Sequence, residues 1–143
     1  MRTYAVALIA TAIGCLAPTI APAAPFLLRC SLTREVSNPV AGAHISFRLV
    51  RYLKVDPDAG QVAEADEFGK GWRSLCASAD TRCSLGESGI SIAVAREHYH
   101  ATTSIDRRTL RYDSETDNDV ILSSTYGRCD QIDAADLPDS RPY

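Results

Sequence analysis

Apolar and polar residues alternate with period two through most of the chain. Over residues 43–56, Ile45, Phe47, Leu49, Leu53 and Val55 share one parity, and His44, Ser46, Arg48, Tyr52 and Lys54 share the other. Such alternation marks a strand with one buried face. Arg51 interrupts the apolar phase and predicts a bulge or the rim of a sheet. Over 26–36, Phe26, Leu28, Cys30 and Leu32 fall on one face and Arg29, Ser31 and Thr33 on the other, so Cys30 is expected to point inward. Residues 101–114 read as a hairpin: Ala101, Thr103 and Ile105 lie on one face of its first arm, and Leu110 and Tyr112 on one face of the second. Asp106 suits the first turn position, because its carboxylate accepts from backbone two residues on.

The remaining segments follow the same logic. Pro57 and Gly60 predict a turn after the second strand. Residues 61–70 fit a short strand or a helical turn. Trp72 and Leu75 are expected to pack on the core, and 77–82 to form a polar loop between Cys76 and Cys83. Ile90, Ile92 and Val94 mark another strand, with 97–100 as its turn into the hairpin. Residues 113–119 read as an acidic connection, 120–126 as the last strand, and 130–143 as a loose tail. No stretch has convincing helical periodicity. Six to nine short strands with regular turn signals predict an all-β domain, a small antiparallel barrel or sandwich.

The first residues change the picture by placing the chain. Arg2 precedes an apolar run over 5–16, Pro18 and Pro22 break it, and Ala21-Pro22-Ala23 offers a small-x-small cleavage site. The division expected is a signal peptide over 1–23 cut between Ala23 and Ala24, a domain over 24–129, and a tail over 130–143. The run is too short to span a bilayer, which takes roughly 18 residues or more, so no transmembrane span remains after cleavage. An uncleaved anchor is opposed by Pro18, Pro22 and Pro25. Ala12-Ile13-Gly14-Cys15 loosely matches a lipoprotein box acylated at Cys15, but alanine stands where such boxes favour leucine. All three readings keep the domain outside the cytoplasm, periplasmic or secreted.

Removing the leader takes away Arg2, so the formal charge of −3 becomes −4. No basic patch of the kind a nucleic-acid binder carries is visible. Four cysteines remain in the exported chain, and an even number in a small exported domain reads as a disulfide framework. Cys76 and Cys83 are close enough to meet across a turn. That leaves Cys30 in the first strand for Cys129 after the last, strands that lie together in a closed sheet.

Several short motifs occur in an order that resembles a group of small exported bacterial proteins of unknown function. Ile105-Asp106-Arg107-Arg108-Thr109 is similar to their IDR-x-T-G hairpin. The turn at Asp56, Pro57 and Gly60, the tryptophan ahead of a cysteine pair (Trp72, Cys76, Cys83), and Gly127-Arg128-Cys129 follow in sequence. The family's glycine after the threonine is Leu110 here. Leucine resists the left-handed conformation that glycine allows, which predicts a different turn. The resemblance implies an all-β exported domain and brings no activity or catalytic residue.

Candidate chemistry is sparse. His98 and His100 would share a face if their stretch were extended, and a pair of imidazoles there would suit zinc or copper. His44 is the one histidine left as a third ligand. Asp113, Glu115, Asp117 and Asp119 recur at alternate positions like the start of a calcium loop, with Asn118 in place of glycine and Ser124 where a bidentate glutamate belongs. The plainer reading of both is a solvated turn. No nucleophile elbow, zincin helix or phosphate loop is present, and no catalytic, cofactor or metal residue is assigned. The function expected is a disulfide-clasped binding or structural module of the cell envelope. Its partner is an unidentified envelope protein or small ligand: an inhibitor would insert the Cys76–Cys83 loop, and a carrier would hold an apolar pocket. The alternative is a weak metal-binding protein or an enzyme of unidentified activity.

Overall fold

A computed structural model describes residues 23–65 and 71–138. The leader, the acidic stretch at 66–70 and the last residues of the tail lie outside the described residues. Among the described residues, nine antiparallel strands form one sheet, curled into a half-barrel. They are β1 (Phe26–Asn38), β2 (Ala43–Asp56), β3 (Gln61–Ala65), β4 (Trp72–Ser74), β5 (Thr81–Leu85), β6 (Gly89–Arg96), β7 (Tyr99–Asp106), β8 (Arg111–Asp117) and β9 (Leu122–Ile132). Across the sheet the order is β4-β3-β2-β1-β9-β8-β7-β6-β5. The barrel form, not the sandwich, is therefore adopted. The first and last strands pair in the middle of the sheet, and its edges are β4 and β5.

Both disulfides follow from this order. Cys30 and Cys129 are register partners on β1 and β9, with Cα atoms 3.8 Å apart. The Cys129 N–H donates to the Leu110 carbonyl on the β8 side at 2.8 Å. That leaves Cys30–Cys129 a non-hydrogen-bonded site of the β1–β9 ladder, where facing side chains are closest. Cys76 and Cys83 do more than close a turn. Cys83 lies within β5 and Cys76 just after β4, so their bond joins the two edges of the curled sheet.

The core occupies one end of the half-barrel. Leu28, Leu32, Leu53, Val55, Val62, Ile90, Ile105 and Tyr112 are buried there beside the Cys30–Cys129 bond. Burying each large apolar side chain contributes about 1.5–3 kcal/mol. Gly127 faces Leu32 on β1 and Tyr112 on β8. A Cβ at this position would lie 2.2 Å from the Ser31 carbonyl oxygen. The glycine of the Gly-x-Cys motif thus lets β9 approach β1 closely, and the cysteine bonds the two strands.

Several expectations are corrected. Arg51 makes no bulge: the β1–β2 register runs unbroken through it. Its guanidinium is held inside, with Nε 3.2 Å from Glu64 Oε1 and Nη1 donating to the Tyr112 hydroxyl at 3.2 Å. Trp72 is 39 % exposed, because β4 is an edge strand, whereas Leu75 does pack on the core. Residues 81 and 82, expected in a polar loop, begin β5. Residues 113–117, expected in a connection, form most of β8. Residues 120 and 121, expected in the last strand, lie before β9, which starts at Leu122 and runs past Cys129 to Ile132. A 3-10 turn, Ala134–Asp136, then orders part of the expected tail.

Two outcomes are expected. The Cys30–Cys129 bond spans 99 residues and the Cys76–Cys83 bond spans 7. Chain entropy assigns about 4.7 kcal/mol to the first and about 2.5 kcal/mol to the second. Thermal melts should therefore drop further for Cys30→Ser than for Cys76→Ser, and the reverse order would refute the assignment. Gly127→Ala should cost about 2–3 kcal/mol, because the methyl meets backbone that can retreat only by moving β1. Denaturant titration against wild type measures it.

Candidate functional site

The three connections β1–β2, β6–β7 and β8–β9 gather at the end of the half-barrel away from the core. The register shows this: Asn38 pairs with Ala43, Arg96 with Tyr99, and Asp117 with Leu122, which itself pairs with Ser37. Asn38 Oδ1 accepts from the Val40 and Ala41 N–H groups, and Asn118 Oδ1 accepts from the Ile121 N–H. These Asx contacts turn the chain while leaving the apolar side chains at the turns unburied. Val40 is 84 % exposed, and Val120, Ile121 and Leu122 are exposed as well. The Ser37 hydroxyl reaches the Leu122 carbonyl at 3.5 Å and so ties two of the tips together.

A groove of about 610 Å³ runs beside these tips. One cross-strand row supplies much of its lining: His44, Ser37, Leu122, Asp117, His100 and Ala95. Glu35 and Glu115 from the next row complete a mixed surface with carboxylates, imidazoles and small side chains. Neighbouring strands are about 4.8 Å apart, so His44 and His100, four strands apart, are separated by roughly 19 Å along the sheet. His44 therefore does not serve as a third ligand beside His100.

The remaining candidates are also dispersed. His98 lies in the β6–β7 turn and not on a strand, so it and His100 do not share a pleat face. The His98 Nδ1 is 2.6 Å from Asp119 Oδ2, an exposed contact that bridges two tips. Asp113, Glu115 and Asp117 stand on one face of β8, where alternate residues are about 6.6 Å apart along the strand, too extended to wrap one cation. The left-handed residue of the following turn is Asp119, with φ 67°, and not Asn118. Among the described residues, no group of three or more His, Cys, Asp or Glu side chains is placed to hold a metal ion.

At the opposite end, the β7–β8 turn is built as Asp106 suggested. Asp106 Oδ1 accepts from the N–H groups of Arg108 and Thr109, each at 2.8 Å. Those two donors, Thr109 first, hold its carboxyl below the ordinary carboxylate range. Leu110 does take the left-handed conformation, φ 55°, contrary to expectation. The strain of about 1–3 kcal/mol is offset by three contacts. The Leu110 N–H donates to Asp106, its carbonyl accepts from Cys129, and its side chain packs on the core. Arg107 stacks over Phe26, 5.4 Å from the ring centroid, and donates to the Gly86 carbonyl, so it is a structural clamp.

On the outer face, the Tyr126 hydroxyl donates to Glu35 at 2.9 Å, and the carboxylate raises the phenol above its ordinary range. Sequence reasoning missed this pair, the Arg51–Glu64–Tyr112 cluster and the apolar tips. The one available signal was an arginine in the apolar phase of β2, which needed an acidic partner from the next strand.

No known family model matches the chain, and a search of curated proteins finds no relative. Its class is therefore defined by the fold: a small all-β domain, a nine-stranded half-barrel with two disulfides. Those bonds fit an oxidising compartment. Among the described residues, no helix is long and apolar enough to cross a membrane.

The Asp106 contacts give a pH test. Its folded-state pKa is lowered, so the stabilisation is present above the unfolded carboxyl pKa and is lost as pH falls through the folded value. Asp106→Asn should lower the melting temperature at neutral pH and match wild type in acid below the carboxylate range. A difference between the two proteins that stays constant with pH would contradict the turn assignment.

Proposed function

We propose that the chain is an exported cell-envelope protein, periplasmic or secreted, that acts by binding and not by catalysis. It would join the small exported bacterial proteins that its Ile105–Thr109 hairpin, Trp72–Cys76–Cys83 order and Gly127-x-Cys129 motif resemble. The observation that carries the reading is the asymmetry of the half-barrel. Apolar side chains fill one end, and at the other Val40, Val120, Ile121 and Leu122 stand in water at the hairpin tips. Contiguous exposed apolar groups rimmed by polar ones are characteristic of interaction surfaces. Here the rim is the groove row of His44, Asp117 and His100. An envelope protein or a small amphipathic ligand fits such a surface.

The packed end argues against a carrier with an interior cup, since Leu28, Leu53, Ile105 and Tyr112 fill it. The Cys76–Cys83 connection is occupied in joining the sheet edges, which argues against a free inhibitory finger. Capture from envelope extract should recover a partner with wild type and lose it with Ile121→Glu or Leu122→Glu, while circular dichroism stays unchanged. Equal recovery by both variants would remove the tips from the reading. Turnover of a peptide, ester or glycan, abolished by one substitution in a folded protein, would remove the binding reading altogether.

A further inference from the structure

We propose that two copies of this chain associate through the unpaired half of β2, by antiparallel pairing of one β2 with the other about Phe47. Among the described residues, β2 pairs on its second side with β3 over residues 53–56. From Ala43 to Val50 that side has no strand partner among the described residues. A row of unpaired N–H and C=O groups on a sheet edge is a template for another strand.

The direction of those groups follows from the disulfide. Cys30 sits at a non-hydrogen-bonded site toward β9, so its N–H and C=O point to β2 and bond its register partner Arg51. Along β2, odd residues therefore bond β1, and the even residues His44, Ser46, Arg48 and Val50 aim their backbone groups outward. The edge residues also expose apolar surface: Ile45 58 %, Phe47 43 % and Val50 46 %.

Charge then selects the register and the occupant. Centring the two-fold axis on Phe47 sets Ile45 against Leu49 of the second copy and Phe47 against its own mate. It sets Ser46 against Arg48, so that the arginines do not face each other. Ser46 neighbours Glu35 on β1, so each Arg48 reaches past a serine toward the other copy's Glu35. Among the described residues, Arg48 has no ion-pair partner within its own chain. Centring on Arg48 would oppose two guanidinium groups, and centring on Leu49 would set Phe47 against Arg51. The favoured register forms about eight backbone hydrogen bonds between the copies.

Sedimentation of the purified protein should show a dimer. Phe47→Cys should give a band of doubled mass under non-reducing conditions, since facing Cα atoms at a non-hydrogen-bonded pair are about 4.5 Å apart, within disulfide reach. Ser46→Cys should not give it. Ser46→Pro removes an N–H that points away from β1, so it should yield a folded monomer. Should that variant misfold, Arg48→Glu tests the same contact, weakening the dimer by roughly tenfold or more. Adding Glu35→Arg to it should restore association. A wild-type protein that stays monomeric at high concentration overturns the proposal. So does a dimer that Ser46→Pro and Arg48→Glu both leave intact, or an edge occupied by a foreign peptide on a monomer. Variants at the Val120–Leu122 tip lie on other strands and leave this test independent of the proposed binding function.

Discussion

The pairing of β1 with β9, fixed by Cys30–Cys129, is the constraint on which the rest of the half-barrel depends. It places the first and last strands at the centre of the sheet. Everything between them must then wrap outward in two arms, β2-β3-β4 and β8-β7-β6-β5. The ends of those arms are adjacent in sequence, and the short Cys76–Cys83 bond holds them together. The long bond restricts the unfolded chain most. The short one acts where no ladder pairs the two edges. Gly127 belongs to the same device, since a side chain there would push β9 off β1 just two residues from the bond.

The second constraint is the polar cluster inside the curl. Tyr112 is buried, and its hydroxyl is satisfied by Arg51, which Glu64 holds in turn. Glu64 also meets Arg73 on β4, so the network stitches four strands. A half-buried guanidinium with two partners tolerates its position. The same side chain with one partner removed would carry most of its desolvation cost. Beyond this cluster the inner face changes character. Arg34 donates to the buried Thr125, and Thr103 bonds Ser114. The apolar positions Ile45 and Phe47 lie beyond the reach of β3 and stay exposed. Packing therefore ends where the polar network begins, and the open half of the sheet keeps these apolar side chains in water.

Strand identity and the inward parity of Cys30 were legible because period two is a local signal that survives in any antiparallel sheet. Disulfide partners were legible because topology limits the choices. Three things were hidden. Arg51 looked like a break in the pattern, since its partners, Glu64 and Tyr112, come from strands whose placement no local pattern reveals. The alternate carboxylates at 113–117 looked like a loop because charge outweighed periodicity in the reading, although alternation of this kind is a strand signal. Leu110 looked incompatible with a left-handed turn, a sound inference from conformational preference that tertiary contacts overrode. The candidate site was the least legible part. Val120 and Ile121 read as the start of the last strand because they are apolar, whereas the Asn118 turn holds them before β9, exposed beside Leu122.

The Ala23 N–H donates to Asp58 in the β2–β3 turn, and Leu27 pairs with Ile132. Both ends of the described chain therefore lie at the packed end, opposite Val40 and the Val120–Leu122 tip. The edge of β2 beyond β3 runs along the side of the same molecule. The sheet thus separates three surfaces by construction: a packed end beside the described termini, the edge of β2 beyond its pairing with β3, and a ring of exposed turns.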